Sequence, residues 1–159
     1  MLYRKVQAKD NRALAEIIRG VFTEHQAPTQ GTVYTDPTTD ALYELFQVEK
    51  AILWVAEDEG HKILGCCGIF PTPGLDKDCA ELVKFYLHKD ARGKGVGRAL
   101  MEKCVVSAKE IGFKKLYLES LPEFATAVGI YEKQGFKKLN QPMGQSGHDG
   151  CNIWMLKTL

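Results

Sequence analysis

The residues with the strongest chemical implication are Arg92-Gly93-Lys94-Gly95-Val96-Gly97-Arg98. The run follows an apolar stretch and opens a helical pattern. Three glycines alternate with larger residues, so the backbone there can turn sharply and approach a ligand closely. The first N–H groups of a helix have no intrahelical partner and form an anion site. Arg92, Lys94 and Arg98 place three cations beside them. Clustered N–H donors and cations are what a pyrophosphate requires.

Two other phosphate motifs are weaker fits. A P-loop needs G-x-x-x-x-G-K-[ST], which the chain lacks. A dinucleotide-binding turn needs G-x-G-x-x-G, and Arg98 stands where its third glycine belongs. Glu119 does end the next strand about 20 residues on, where a ribose-binding acid belongs. The stretch His88 to Arg92, however, separates the apolar strand from the first glycine. A tight dinucleotide turn has no room for it.

The elements that must position this turn are legible from periodicity. Cys79 to His88 reads as a long strand entering it. Gly95 to Glu110 reads as the helix leaving it, with Val96, Leu100, Cys104 and Ala108 as its apolar stripe and Gly112 as its stop. Upstream, Leu2 to Ala8 reads as a strand. Asp10 is placed to cap a helix to about Phe22, and a short helix is expected near Thr39 to Gln47. Ala51 to Glu57 and Lys62 to Phe70 form an expected hairpin. Downstream, Lys114 to Glu119 is a strand. Ser120-Leu121-Pro122-Glu123 has the spacing of a capping box, so a helix carrying Phe124, Ala127, Val128 and Tyr131 begins there and ends at Gly135. Phe136 to Leu139 and Cys151 to Lys157 are the last strands, joined by a polar loop over Gln141 to Gly150. The order is β-α-α-β-β-β-α-β-α-β-β.

Bulk properties agree with one domain of 159 residues. A chain of this length buries roughly 70% of its unfolded surface, so it needs neither disulfide nor metal. Its five cysteines are odd in number and show no C-x-x-C spacing, so no metal site is expected. A net charge of +1 removes the global basic field that nucleic-acid binding uses. No apolar run approaches the ~18 residues of a membrane span, and the N-terminal residues lack a signal-peptide core. The expectation is a cytoplasmic protein with neither membrane nor nucleic acid as partner.

The run Tyr86 to Leu100 closely resembles the acyl-CoA motif of the GNAT N-acetyltransferase superfamily, [QR]-x-x-G-x-[GA] after a strand, with Arg92, Gly95 and Gly97 at its fixed positions. Ala127-Val128-Gly129-Ile130-Tyr131-Glu132-Lys133-Gln134-Gly135-Phe136 is similar to a second segment of that family. The resemblance implies an α/β (α+β) fold: a mixed, mostly antiparallel sheet of about seven strands flanked by about four helices. It implies an acetyl-CoA-dependent acyltransferase that delivers the acetyl group to an amine of a small molecule or protein. Homodimers are common in the superfamily, though no interface signature is legible here.

By the same resemblance, backbone groups from Arg92, Gly93, Lys94, Gly95, Val96, Gly97 and Arg98 would take the pyrophosphate. Backbone near Leu87 would pair with the pantetheine arm and supply a donor for the thioester oxyanion. Phe124 and Ala127 are expected on the cofactor side of the following helix, with Phe124 where the family often has asparagine. Tyr131 matches the family's general acid. Glu81, eleven residues before Arg92 and at the head of an apolar strand, matches a glutamate base. Strand alternation puts Glu81, Val83, Phe85 and Leu87 on one face. Glu119 or an ordered water is the other candidate base. His25 and His148 fall in loops that frame the acceptor in this superfamily. The competing class is a non-catalytic acyl-CoA-binding module or sensor on the same fold.

Overall fold

The computed structural model describes residues 1–159. Its strands are β1 (Leu2–Lys5), β2 (Ile52–Glu57), β3 (Ile63–Phe70), β4 (Cys79–Leu87), β5 (Lys115–Ser120), β6 (Lys137–Lys138) and β7 (Ile153–Thr158). The α-helices are α1 (Asn11–Glu24), α2 (Leu42–Leu45), α3 (Val96–Ile111) and α4 (Ala125–Lys133). All seven strands form one sheet in the order β1-β2-β3-β4-β5-β7-β6. Only the β4–β5 pair is parallel. The mixed, mostly antiparallel sheet with four helices is the expected fold, in the expected order of elements.

Two apolar layers hold it together. On one face α3 and α4 pack through Val96, Leu100, Met101, Cys104, Ala108, Val128 and Tyr131. The stripe read from the sequence is therefore the buried face of α3. On the other face α1 packs through Leu14, Ile18 and Phe22, with Leu42 of α2 beside them. Leu100 is fully buried, and truncating such a residue to alanine costs about 2–5 kcal/mol.

Helix α3 starts and stops where its glycines allow. Gly95 (φ 74°) and Gly112 (φ 109°) are both left-handed, a conformation that penalises a Cβ. Two starts differ from expectation. Asp10 does not cap α1; its carboxylate accepts the Gln7 N–H (2.7 Å) and the Arg4 guanidinium (2.8 and 2.9 Å), closing a 3-10 turn over Ala8–Asp10 that shortens β1. The capping box at Ser120 and Glu123 does not form. Ser120 is the buried last residue of β5, Pro122 opens a 3-10 turn, and α4 begins at Ala125 without a side-chain cap. No helix is long and apolar enough to cross a membrane.

Candidate active site

The parallel pairing of β4 with β5 ends at Glu81↔Tyr117. From Leu82 onward, the edge of β4 that faces β5 has no strand partner. The two strands part there, and a cavity fills the gap. It is walled by β4 from Glu81 to Leu87, by Glu119 to Leu121 after the split in β5, and by α4 and α1. The residues singled out from the sequence that line it are Glu81, Leu87, Arg92, Phe124, Ala127 and Tyr131, together with Glu119, His25 and His148.

Strand β4 is not regular along this wall. Its pairing with β3 shifts by one residue between Cys66 and Gly68, and Lys84 adopts φ 57°. The extra residue forms a β-bulge, which interrupts alternation. Phe85 and Leu87 pack with the α3–α4 layer, whereas Val83 and Tyr86 pack with the α1 layer. The expected single face for Glu81, Val83, Phe85 and Leu87 is therefore wrong: Glu81 and Val83 lie opposite Phe85 and Leu87. Glu81 still lines the cavity, because the cavity passes through the gap between strands from one face towards the other.

Glu81 is 4% exposed. Burial pushes its carboxyl up from 4.5 to about 7, against a 2.7 Å hydrogen bond from Thr72 Oγ1 to Glu81 Oε1. The Glu119 carboxylate adds to the rise and Lys84 opposes it. Glu119 itself is fully engaged. It accepts from the Tyr117 hydroxyl (2.7 Å) on one oxygen and from the Ser146 hydroxyl on the other. Glu81 thus keeps an uncommitted oxygen and titrates near neutrality.

Tyr131 enters from α4. Its ring stands 5.7 Å from that of Phe85 and 5.9 Å from that of Phe136. This apolar setting raises its phenol well above 10, so the group stays protonated. Phe124 packs edge-on to Phe22 (5.1 Å) and His25 (5.8 Å) and near Tyr86 (6.4 Å), closing an aromatic corner between α1, β4 and α4.

The glycine turn adjoins the cavity through Arg92, whose guanidinium is bonded to Glu24 of α1 and lies 3.4 Å from the Leu87 carbonyl. Gly93 (φ 75°) and Gly95 (φ 74°) are left-handed, with open space where a Cβ would stand. No side chain caps α3, and the first bond across its start runs from Ala99 N–H to the Gly95 carbonyl (3.1 Å). The N–H groups before it are available to a ligand. Gly97 has a packing reason as well: a Cβ there would stand 3.0 Å from Leu87 and 3.1 Å from Phe85. The side chain of Val96 is buried and that of Arg98 bonds Glu102, so these positions can offer backbone but not, as placed, side-chain contacts.

Three loops close the far end. The Gly150 N–H donates to the Gly31 carbonyl (2.8 Å), and the Gln145 N–H to the Pro73 carbonyl (2.7 Å). His148 Nε2 lies 2.8 Å from Asp36 Oδ2. Burial favours the neutral form of Asp36, but hydrogen bonds from His148 and Thr38 outweigh it and hold the carboxyl down at about 2. His148 therefore donates through Nε2. His25, His148, Cys151 and Lys84 all line the cavity. Sequence reasoning did not single out Lys84, Thr72, Asp36 or Cys151 as site residues. The signal for Lys84 was a lone cation in a strand whose one other charged residue is Glu81.

Residues 18–136 match the model of the acetyltransferase (GNAT) family. The chain belongs to that family. An uncharacterized N-acetyltransferase of Escherichia coli K12, YjgM, is 35% identical over 98% of this chain and 93% of its own length. A GNAT acetyltransferase from Staphylococcus aureus Mu50 superposes with a TM-score of 0.88 at 20% identity, covering 99% of this chain and 98% of that one. A phosphinothricin acetyltransferase from Sinorhizobium meliloti, solved with AcCoA, superposes at 0.77 and 19% identity over 99% and 88% of the two chains. These two likenesses concern the fold. The family match and the Escherichia coli relative identify this GNAT member as an N-acetyltransferase enzyme.

Proposed function

We propose that residues 1–159 act as one domain that moves the acetyl group of acetyl-CoA to a primary amine by direct attack in a ternary complex. The observation that carries this reading is the cavity where β4 leaves β5, with Glu81 and Tyr131 both in its wall. The unpaired edge of β4 offers backbone groups to an extended arm, as a missing strand would use them. The start of α3 offers N–H donors to the pyrophosphate. Arg92 must exchange part of its bond with Glu24 for that anion.

An alkylammonium with a pKa near 10.4 needs about 4–5 kcal/mol to become neutral at pH 7. Glu81, at about 7, accepts that proton near neutral pH, where a general base is most useful. A free backbone N–H of β4 near Leu87 stabilises the thioester oxyanion. Tyr131 donates a hydrogen bond to the departing thiolate. A thiol has a pKa near 8.5, so full transfer from a phenol above 10 is uphill until burial raises the thiolate as well. Tyr131 acts mainly by stabilising the developing charge.

The test is release of CoA thiol from acetyl-CoA in the presence of a panel of primary amines. The reading predicts amine-dependent release. Tight acetyl-CoA binding with no release on any amine would instead mark a binding module.

A further inference from the structure

Lys84 is the one lysine or arginine in the cavity wall that the transfer mechanism leaves unused. It is 6% exposed, yet no carboxylate oxygen lies within 4.0 Å of its ammonium and no hydrogen bond satisfies it. Of the carboxylates in this part of the cavity, Asp36 is committed to His148 and Thr38 and Glu119 to Tyr117 and Ser146, whereas Glu81 is bonded through one oxygen, to Thr72. The bulge holds Lys84 in a left-handed conformation, φ 57°, on the side of β4 that carries Glu81, near Asp36, Cys66 and Cys151. Glu123 Oε2 is the one solvent-sealed side-chain atom without a partner, so the unpaired Lys84 ammonium opens to the cavity that a substrate enters.

The charge balance limits what could pair with it. Asp36 and the partly protonated Glu81 lie near the same lysine, so a dianion such as a phosphate would meet more repulsion than a monocarboxylate. A single negative charge matches a single ammonium. The loops around residues 31, 73 and 145–150 are tied to one another at the acceptor end, and Glu81 is nearly sealed beneath them. That enclosure suits a small molecule better than a protein chain.

Building on the acetyl-transfer reading above, we propose that the acceptor is a small amine carrying a carboxylate within a few bonds of its amino group, as an amino acid does. Lys84 pairs with that carboxylate through the cavity, and the pairing holds the amine against Glu81. Lys84 is a specificity-determining residue, and the bulge exists in the site to deliver it.

The test uses the intact protein, acetyl-CoA, and matched sets of α-amino acids, their carboxamides and their decarboxylated amines, with thiol release as readout. For the preferred side chain, the acid should exceed both relatives that lack the carboxylate in kcat/KM by about 100-fold, the scale of a charge-assisted hydrogen bond. Lys84→Met should collapse that ratio, chiefly through KM for the acid. Lys84→Gly, which also relaxes the left-handed backbone, should do the same. Lys84→Arg should keep part of the ratio. Equal kcat/KM within each set for the wild-type protein would overturn the proposal. So would acetylation of Lys84 itself on incubation with acetyl-CoA alone, detected by peptide mass spectrometry. Calorimetry with acetyl-CoA separates the two levels: tight binding without acid preference overturns only the acceptor class, whereas no binding overturns the donor assignment and this proposal with it.

Discussion

Glu81 and Leu87 lie on opposite faces of β4, although their even spacing would put them on one face of a regular strand. The bulge at Lys84 makes the difference. It turns the second half of the strand so that Leu87 packs beneath α3, while Glu81 remains on the α1 side, where the loops close over the far end of the cavity. One strand can thereby serve two ends of a single cavity. Without the bulge, Glu81 and Leu87 would compete for the same side.

Glu81→Gln tests the base in two ways. In the wild-type protein, activity should rise with pH through about 7 as Glu81 loses its proton. The glutamine variant should lose that limb and recover activity at high pH, where the amine deprotonates in solution. Stability should respond in the opposite sense. Because the folded value lies above the ordinary 4.5, the native protein keeps a proton that the unfolded chain has released. The contribution of this group is full below 4.5 and declines as pH rises through about 7. Glutamine mimics the protonated form, so Glu81→Gln should melt like wild type at pH 4 and higher than wild type at pH 8, by up to about 3 kcal/mol. A lower melting temperature at pH 8 with an unchanged pH–rate profile would move the base to Glu119 or to water.

Tyr131→Phe retains the ring that packs against Phe85 and Phe136 and removes only the hydroxyl. Turnover should fall roughly 10- to 1,000-fold, with acetyl-CoA affinity nearly unchanged. Single-turnover rates measure this, since they isolate the chemical step. An unchanged single-turnover rate would remove Tyr131 from the mechanism.

His148→Ala cuts the bond to Asp36 that joins the loop after β6 to the loop before α2. The acceptor end should open. KM for the acceptor should rise several-fold, whereas calorimetry should give an unchanged acetyl-CoA affinity. An equal loss for both substrates would mean that the bond holds the fold as a whole rather than the acceptor end.

The sequence made the order of elements readable because local signals mark each boundary. Gly95 and Gly112 bound α3 through conformations that favour glycine, and the stripe from Val96 to Ala108 is the face that packs on the sheet. Leu87, Arg92, Ala127 and Tyr131 could be gathered into one site by the two motifs, and Glu81 and Phe124 by their offsets from Arg92 and Tyr131; all six line one cavity. The face of β4 could not be read, because Lys84 takes a left-handed conformation with no glycine to announce it. The bond between Asp36 and His148 spans 112 residues, beyond any local pattern. The expected capping box failed for a related reason: pairing of Ser120 with Ile153 keeps it in β5, and Pro122 then sets where the next turn begins.

The central claim is that the turn from Arg92 to Arg98 holds the pyrophosphate of acetyl-CoA at the mouth of the cavity between β4 and β5. Calorimetric titration of acetyl-CoA into the wild-type protein, Gly95→Ala and Gly95→Glu tests it most directly. Both substitutions strain a left-handed residue, and neither Cβ meets an atom within 4 Å. They differ in that glutamate brings a negative charge to the anion site. The wild type should bind, Gly95→Ala should bind with a modest loss and Gly95→Glu should show no detectable binding, with both variants still folded by thermal melting. Equal affinity in all three proteins would contradict it.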